Sequence, residues 1–364
     1  MSNETVELAS RHTTSFSALL AQLGISLVVS TYQAGKVILV REDEGKLNTH
    51  FLDFGKPMGI AVDGQRLTVG GRNTVWYYRN MEALASRLEP QGRHDACYLP
   101  RQIHFTGDID IHEMGWGQDG LWLVNTKFCC LCTLDPDHSF SPRWRPHFVS
   151  ALTPEDRCHL NGMAMIDGQP AYVTALGETD TPGGWRKNKR DGGILINVRE
   201  NRIAARGLSM PHSPRFYSDR LWFLESGIGG IGWFDPDSLA RKQPGRVIRR
   251  TVAELPGFTR GLDFIGPFAF IGLSEVRESK VFNDFPLVER LGEDERCCGV
   301  WVIDIRNGKI VAFLKFESGV QEIFAVQALP ARFPEILAQD HERLNDSYVL
   351  PDDALADVPG NLRY

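Results

Sequence analysis

The chain has 364 residues, 42% of them hydrophobic and 24% charged, enough to bury a sizeable core. Its net charge of −6 and pI near 6.0 exclude the basic footprint of a nucleic-acid or acidic-membrane binder. Seven cysteines, with Cys129-Cys130 and Cys297-Cys298 adjacent, fit no disulfide framework; Met1-Ser2-Asn3-Glu4 lacks the basic and apolar regions of a signal peptide. No apolar run reaches membrane-spanning length, so a reducing cytoplasm is the expected compartment.

Residues 14–24 predict a short amphipathic helix. Phe16, Leu19, Leu20 and Leu23 recur at helical spacing, with Ser15 as candidate cap and Gly24 as stop. Beyond it, short apolar strands ending in small or polar residues recur at roughly fifty-residue intervals, the period of a β-propeller blade. The copies lie at 27–30, 67–70, 122–125, 172–175, 222–225 and 270–274. Inner strands are predicted at 58–62, 112–116, 161–165, 213–216 and 260–264, joined to them by turns such as Asp63-Gly64 and Asp167-Gly168. Third strands follow near 36–40, 75–78, 131–134, 193–198, 231–234 and 300–305, and outer strands near 48–54, 203–208, 247–255 and 309–316. The first copy, 27–30, has no inner strand before it, and the inner strand 321–326 has no partner after it. Joined, they make a sixth blade and remove the open sheet edge. The expected architecture is an all-β, six-bladed β-propeller over 25–330, closed by its two ends, with an extension at 1–24 and a loosely packed tail at 331–364. Two long hairpins share the face where the inner strands begin. One, 177–193, carries Trp185 among Arg186, Lys187, Lys189 and Arg190; the other, 275–298, carries Phe282 and Phe285. Each reads as a lid or recognition element, or as a decorated surface loop.

Stacked across blades, the starts of the inner strands carry Met58, His112, Asn161, Ser213, Arg260 and Glu322. One or two residues upstream lie Asp110, His159, His212, Thr259 and Gln321. His112, His159 and His212 therefore read as one station in three consecutive blades, ringed by Ser30, Asn125, Glu225 and Ser274 from the second-strand ends. Three neutral imidazoles suit one divalent metal (zinc, manganese, iron or calcium) and leave a position open to water or substrate. Glu322 or Glu225 would orient a ligand or act as general base, and Arg260 would hold a substrate carboxylate or stabilise an oxyanion. Asn161, Gln321, Asn125 and Trp185 are the candidate substrate contacts. The alternatives are a metal-free ligand site and a structural plug. An unpaired buried polar group costs roughly 1–3 kcal/mol, which counts against a dry plug. Cys129, Cys130 and Cys132 alternate in facing along a strand and read as core. No Gly-rich phosphate loop precedes a helix, which disfavours a nucleotide cofactor.

The stretches Pro154-Glu155-Asp156-Arg157-Cys158-His159-Leu160-Asn161-Gly162 and Met210-Pro211-His212-Ser213-Pro214-Arg215, together with 174–185, 255–263 and 320–324, resemble a bacterial family of conserved hypothetical proteins of unknown function. More distantly, Pro57-Met58-Gly59-Ile60-Ala61-Val62-Asp63-Gly64 is similar to the blade opening of NHL-repeat and gluconolactonase-like propellers. That second resemblance implies a six-bladed fold and, by analogy, metal-dependent lactonase or peptidyl-hydroxyglycine lyase chemistry, the latter with zinc on axial histidines. The expectation is a metal-dependent lyase or hydrolase acting on a small molecule or modified peptide at the axial mouth. The alternative is a non-catalytic propeller binding a peptide or protein partner on the same face.

Overall fold

The computed structural model describes residues 8–240, 247–275 and 285–359. Phe282, assigned above to the second long hairpin, lies outside the described residues. Six sheets make a six-bladed propeller, four strands to a blade from the axis outward. Blade 1 comprises Ala325–Leu329, Ser26–Thr31, Lys36–Asp43 and Lys46–Asp53; blade 2 comprises Ile60–Asp63, Arg66–Gly70, Thr74–Asn80 and Ala96–Phe105. Blade 3 is Ile111–Gly117, Gly120–Asn125, Cys130–Asp135 and His138–Trp144, and blade 4 is Leu160–Ile166, Gln169–Ala175, Gly193–Asn197 and Arg202–Leu208. Blade 5 is Pro211–Tyr217, Arg220–Glu225, Gly230–Phe234 and Arg249–Glu254; blade 6 is Phe258–Ile265, Phe268–Ser274, Cys298–Asp304 and Lys309–Phe316.

The ring closes as the two orphan copies require. Ser26–Thr31 pairs antiparallel with Ala325–Leu329, from Ser26↔Leu329 to Ser30↔Ala325. The closing strand begins at Ala325 rather than at 321, and residues 321–324 form the approach to it.

Alternate residues of the second strands face different neighbours. Leu27 and Val29 pack toward blade 6, with Phe270 and Val300, whereas Val28 packs toward blade 2, with Ile60 and Val69. Likewise Leu221 and Phe223 join the core shared with blade 4, and Trp222 and Leu224 the core shared with blade 6. Both faces of these strands are buried, so they read as continuous apolar runs rather than alternating ones.

Two outer strands, Ala96–Phe105 and His138–Trp144, escaped the sequence reading. Each contains a proline, Pro100 or Pro142, at a register shift on the edge, where a missing N–H costs little. Both chain ends cover sheet edges. Ser10–His12 extends blade 6, and Pro334–Ile336 lies parallel to Ala96–Tyr98, with Leu337 buried beside it. This part of the tail is therefore packed. The helix Thr14–Leu23 buries Phe16, Leu19 and Leu20 against blades 1 and 6 and stops at Gly24 in the left-handed region. Its cap position is Thr13, and Ser15 instead donates to Val311 O.

At the mouth-side end, polar latches cross all six seams. Ser30 Oγ donates to Met58 O (2.5 Å), Thr126 Oγ1 to Leu160 O (2.5 Å), Ser226 Oγ to Thr259 O (2.6 Å) and Ser274 Oγ to Ile323 O (3.3 Å). Asn161 Nδ2 donates to Pro211 O at 3.0 Å, and the Gly59 N–H to Ile111 O at 3.2 Å. Among the described residues, no helix is long and apolar enough to cross a membrane.

Candidate functional site at the axial mouth

Register separates the three histidines. Ile111, Leu160 and Pro211 pair with the last residues of their second strands, Asn125, Ala175 and Glu225. His112 and His212 therefore share a position with Asn161, whereas His159 shares one with Asp110 and Met210. Those three residues have φ of 52°, 57° and 51°, left-handed values uncommon for residues with a Cβ. Asp110, His159 and Met210 thus redirect the chain just before each inner strand, and the histidines leave it in different directions.

His159 is the best-defined side chain of the mouth. Its Nδ1 lies 3.0 Å from Asp156 Oδ1, so Nδ1 carries the proton and Nε2 the lone pair. No hydrogen bond reaches that Nε2 from the described residues. Asp156 is a hub, its Oδ2 also accepting from Trp185 Nε1 at 2.8 Å and Arg186 Nη2 at 3.2 Å. The Trp185 indole lies 4.3 Å from the imidazole, tilted by 36°. Trp185 is itself buried with Leu176, Met210, Phe258, Phe285 and Leu287. The 177–193 hairpin therefore roofs His159, and its tryptophan packs instead of standing exposed.

His112 approaches His159 edge-on, with ring centroids 4.8 Å apart. Its Nδ1 lies 3.1 Å from Asp110 O, which assigns the proton to that nitrogen. His212 is 1% exposed, and its Nδ1–H is shared between Met210 O at 2.9 Å and Ser226 Oγ at 2.8 Å. Ser226 Oγ–H in turn donates to Thr259 O, so His212 belongs to the latch between blades 5 and 6. The structure brings His112 and His159 together. Among the described residues, no three His, Cys, Asp or Glu side chains are grouped to hold one metal ion. The one-ion arrangement of His112, His159 and His212 is thus not assembled here, because register and latching set the rings at different places.

Phe324, missed as a site residue, is buried between the mouth residues. The Arg260 guanidinium from blade 6 lies 3.5 Å over its ring, and His112 from blade 3, on the opposite side of the ring of blades, meets it at 5.2 Å. Tyr32 packs on it edge-on at 5.7 Å. Deeper along the inner strands, Arg215 makes a two-pronged ion pair with Glu113, at 2.9 and 3.0 Å, across blade 4. Asp263 is drawn into the same layer, its carboxyl pKa pushed up by burial despite the nearby Arg215 charge. Arg215 and Glu113 thus span the axis below the mouth.

The remaining candidates are spent elsewhere. Glu225 accepts from Ser209 N at 2.7 Å and pairs with Arg249 at 3.2 Å, on the outward side of blade 5; burial raises its pKa. Asn161 donates to Pro211 O and accepts from Thr174 Oγ1 at 2.7 Å, and Asn125 caps its own turn by accepting from Phe128 N at 3.0 Å. All three have these groups engaged within the chain. Glu322 is buried at the blade 1 seam, where its Oε2 accepts from Tyr32 N at 3.1 Å. Gln321 is exposed at the rim, and its carbonyl accepts from Glu275 N. All seven cysteines are free thiols. Asp156 and Phe324 carried no recognisable signal, since one sat in a charged run and the other in an apolar strand pattern.

Fold and site together define a closed six-bladed β-propeller with a cluster of polar side chains at one end of its axis. The chain belongs to the family described as domain of unknown function DUF4915, which matches residues 14–337. A comparison with curated proteins gives no match. Among solved structures, a nidogen/laminin complex chain is similar at 11% identity and TM-score 0.49, covering 85% of this chain and 100% of that one. A protein of unknown function from Bacteroides caccae matches at 10% identity and TM-score 0.49, covering 84% and 99%. The Xanthomonas campestris gluconolactonase XC5397 matches at 19% identity and TM-score 0.40, covering 68% and 78%.

Proposed function

We propose that the axial mouth is an acid–base active site, and that the protein is a hydrolase or lyase acting on a small molecule bound there. The observation that supports this reading is the Asp156–His159 pair. A carboxylate 3.0 Å from Nδ1 orients the imidazole, leaving Nε2 to take a proton from substrate or water. Trp185 shields the ring from bulk water, and His112 stands close enough to serve a second proton transfer. Asp156 is a positioning residue, acting through His159. No step is routed through a metal, since the donors are not gathered around one point.

The test is turnover of a panel of lactones, carboxylic esters and β-substituted acids by the wild type, His159→Gln and Asp156→Asn. His159→Gln should lose at least about a hundredfold in kcat, within the usual contribution of a general acid–base group. Asp156→Asn should lower kcat more than it raises KM. Equal turnover by wild type and His159→Gln overturns the assignment. Parallel samples treated with chelator, or supplied with zinc, manganese, iron or calcium, show whether an ion is required. Saturable binding without turnover would instead support the non-catalytic propeller.

A further inference from the structure

The geometry points to a small organic carboxylate as the ligand class of the mouth, with Arg260 as its anchor. Other arginines near the mouth have carboxylate partners. Arg157 pairs with Glu155 and Asp180, Arg186 with Asp156, Arg190 with Glu289 and Arg215 with Glu113. Arg260 is partly exposed and has no ion pair or hydrogen bond with any described residue, its buried Nη2 included. A cation that has no counter-charge within the chain remains available to an anion from outside.

Its contact with Phe324 narrows the chemistry. With the guanidinium lying 3.5 Å over the ring, one flat face is taken by the π system and the N–H bonds point edgewise. That edge presents parallel donors, the shape that matches the two oxygens of a carboxylate. Phe324 also carries His112, which in turn touches His159. An anion held by Arg260 and a bond worked on by His159 therefore belong to one short molecule spanning the mouth. This assignment rests on the mouth being the working site, but it concerns binding, which can be measured without turnover.

The experiment titrates the whole chain with benzoate, phenyl phosphate and the neutral benzyl alcohol at constant pH and ionic strength, read by calorimetry. Benzoate should bind the wild type at one site. Its affinity should fall at least about tenfold in Arg260→Gln and less in Arg260→Lys, with benzyl alcohol indifferent to either change. Arg260→Met, which removes the unpaired charge, should melt at the same or a higher temperature than the wild type, which guards against misreading an unfolded variant. Tighter binding of phenyl phosphate than benzoate, lost in the same variants, would replace carboxylate by phosphate ester and overturn the carboxylate assignment. Equal benzoate binding by wild type and Arg260→Gln, or none by wild type up to about 10 mM, a weaker affinity than a specific anchor provides, overturns it outright. His159→Gln should keep benzoate binding, so failure of the acid–base reading and failure of the anchor give different results.

Discussion

Two polar sets sit at the same end of this propeller, a few residues apart, and they behave differently. In the seams, Ser30, Thr126, Asn161, Ser226 and Ser274 each have their donor met by a backbone carbonyl of the next blade. In the mouth, Arg260 keeps a buried nitrogen without an acceptor, and His159 has one ring nitrogen held by Asp156 and the other without a partner among the described residues. Hydrogen-bonding capacity consumed inside the chain stabilises the ring; capacity left over can act on another molecule. Burial and residue type do not separate the two sets, because both are polar and mostly buried. The partner census does.

The comparison breaks or sharpens by experiment. The largest effect is expected at the layer below the mouth. Arg215→Ala leaves Glu113, 6% exposed, charged and alone, and should destabilise the protein by about 3–5 kcal/mol in a denaturant titration. Unchanged stability would mean that this pair is not part of the structural set. Asn161→Ala should follow, at about 1–3 kcal/mol, because it strands both Pro211 O and Thr174 Oγ1. Benzoate binding by the folded Asn161→Ala protein should match the wild type; loss of binding without loss of stability would merge seam and mouth into one site. The smallest effect is in acid. The Ser150 backbone N–H, the Ser150 hydroxyl and Arg157 hold the Asp180 carboxyl down to about 2, below its ordinary value of 3.8. A carboxyl depressed in the folded state contributes stability above its unfolded pKa and loses it as pH falls toward the folded value. The melting temperature should therefore drop between about pH 4 and 2, and less steeply in Asp180→Asn.

Much of the fold was legible in the residues. Second strands packed on both faces must be apolar throughout, which made the six copies visible, and the unpartnered first and last pieces demanded closure. The outer strands with Pro100 and Pro142 were hidden because edge positions tolerate what interior strands forbid. The site was legible only in part. His112, His159 and Arg260 stand at the mouth as expected, but Glu225, Asn125 and Asn161 turned inward to seams, outer strands or turns.

The sequence by itself determined the blade count, the closing pair and the end of the axis at which polar side chains gather, because repetition and hydrophobic burial are properties of the linear chain. Only the tertiary structure decided which of those side chains are spoken for. A two-residue difference in register separates His159 from His112 and His212. Asp156, Trp185 and Phe324 reach the site from a loop, a hairpin and the approach to the closing strand, and their meeting is set by distances in space that no local pattern records.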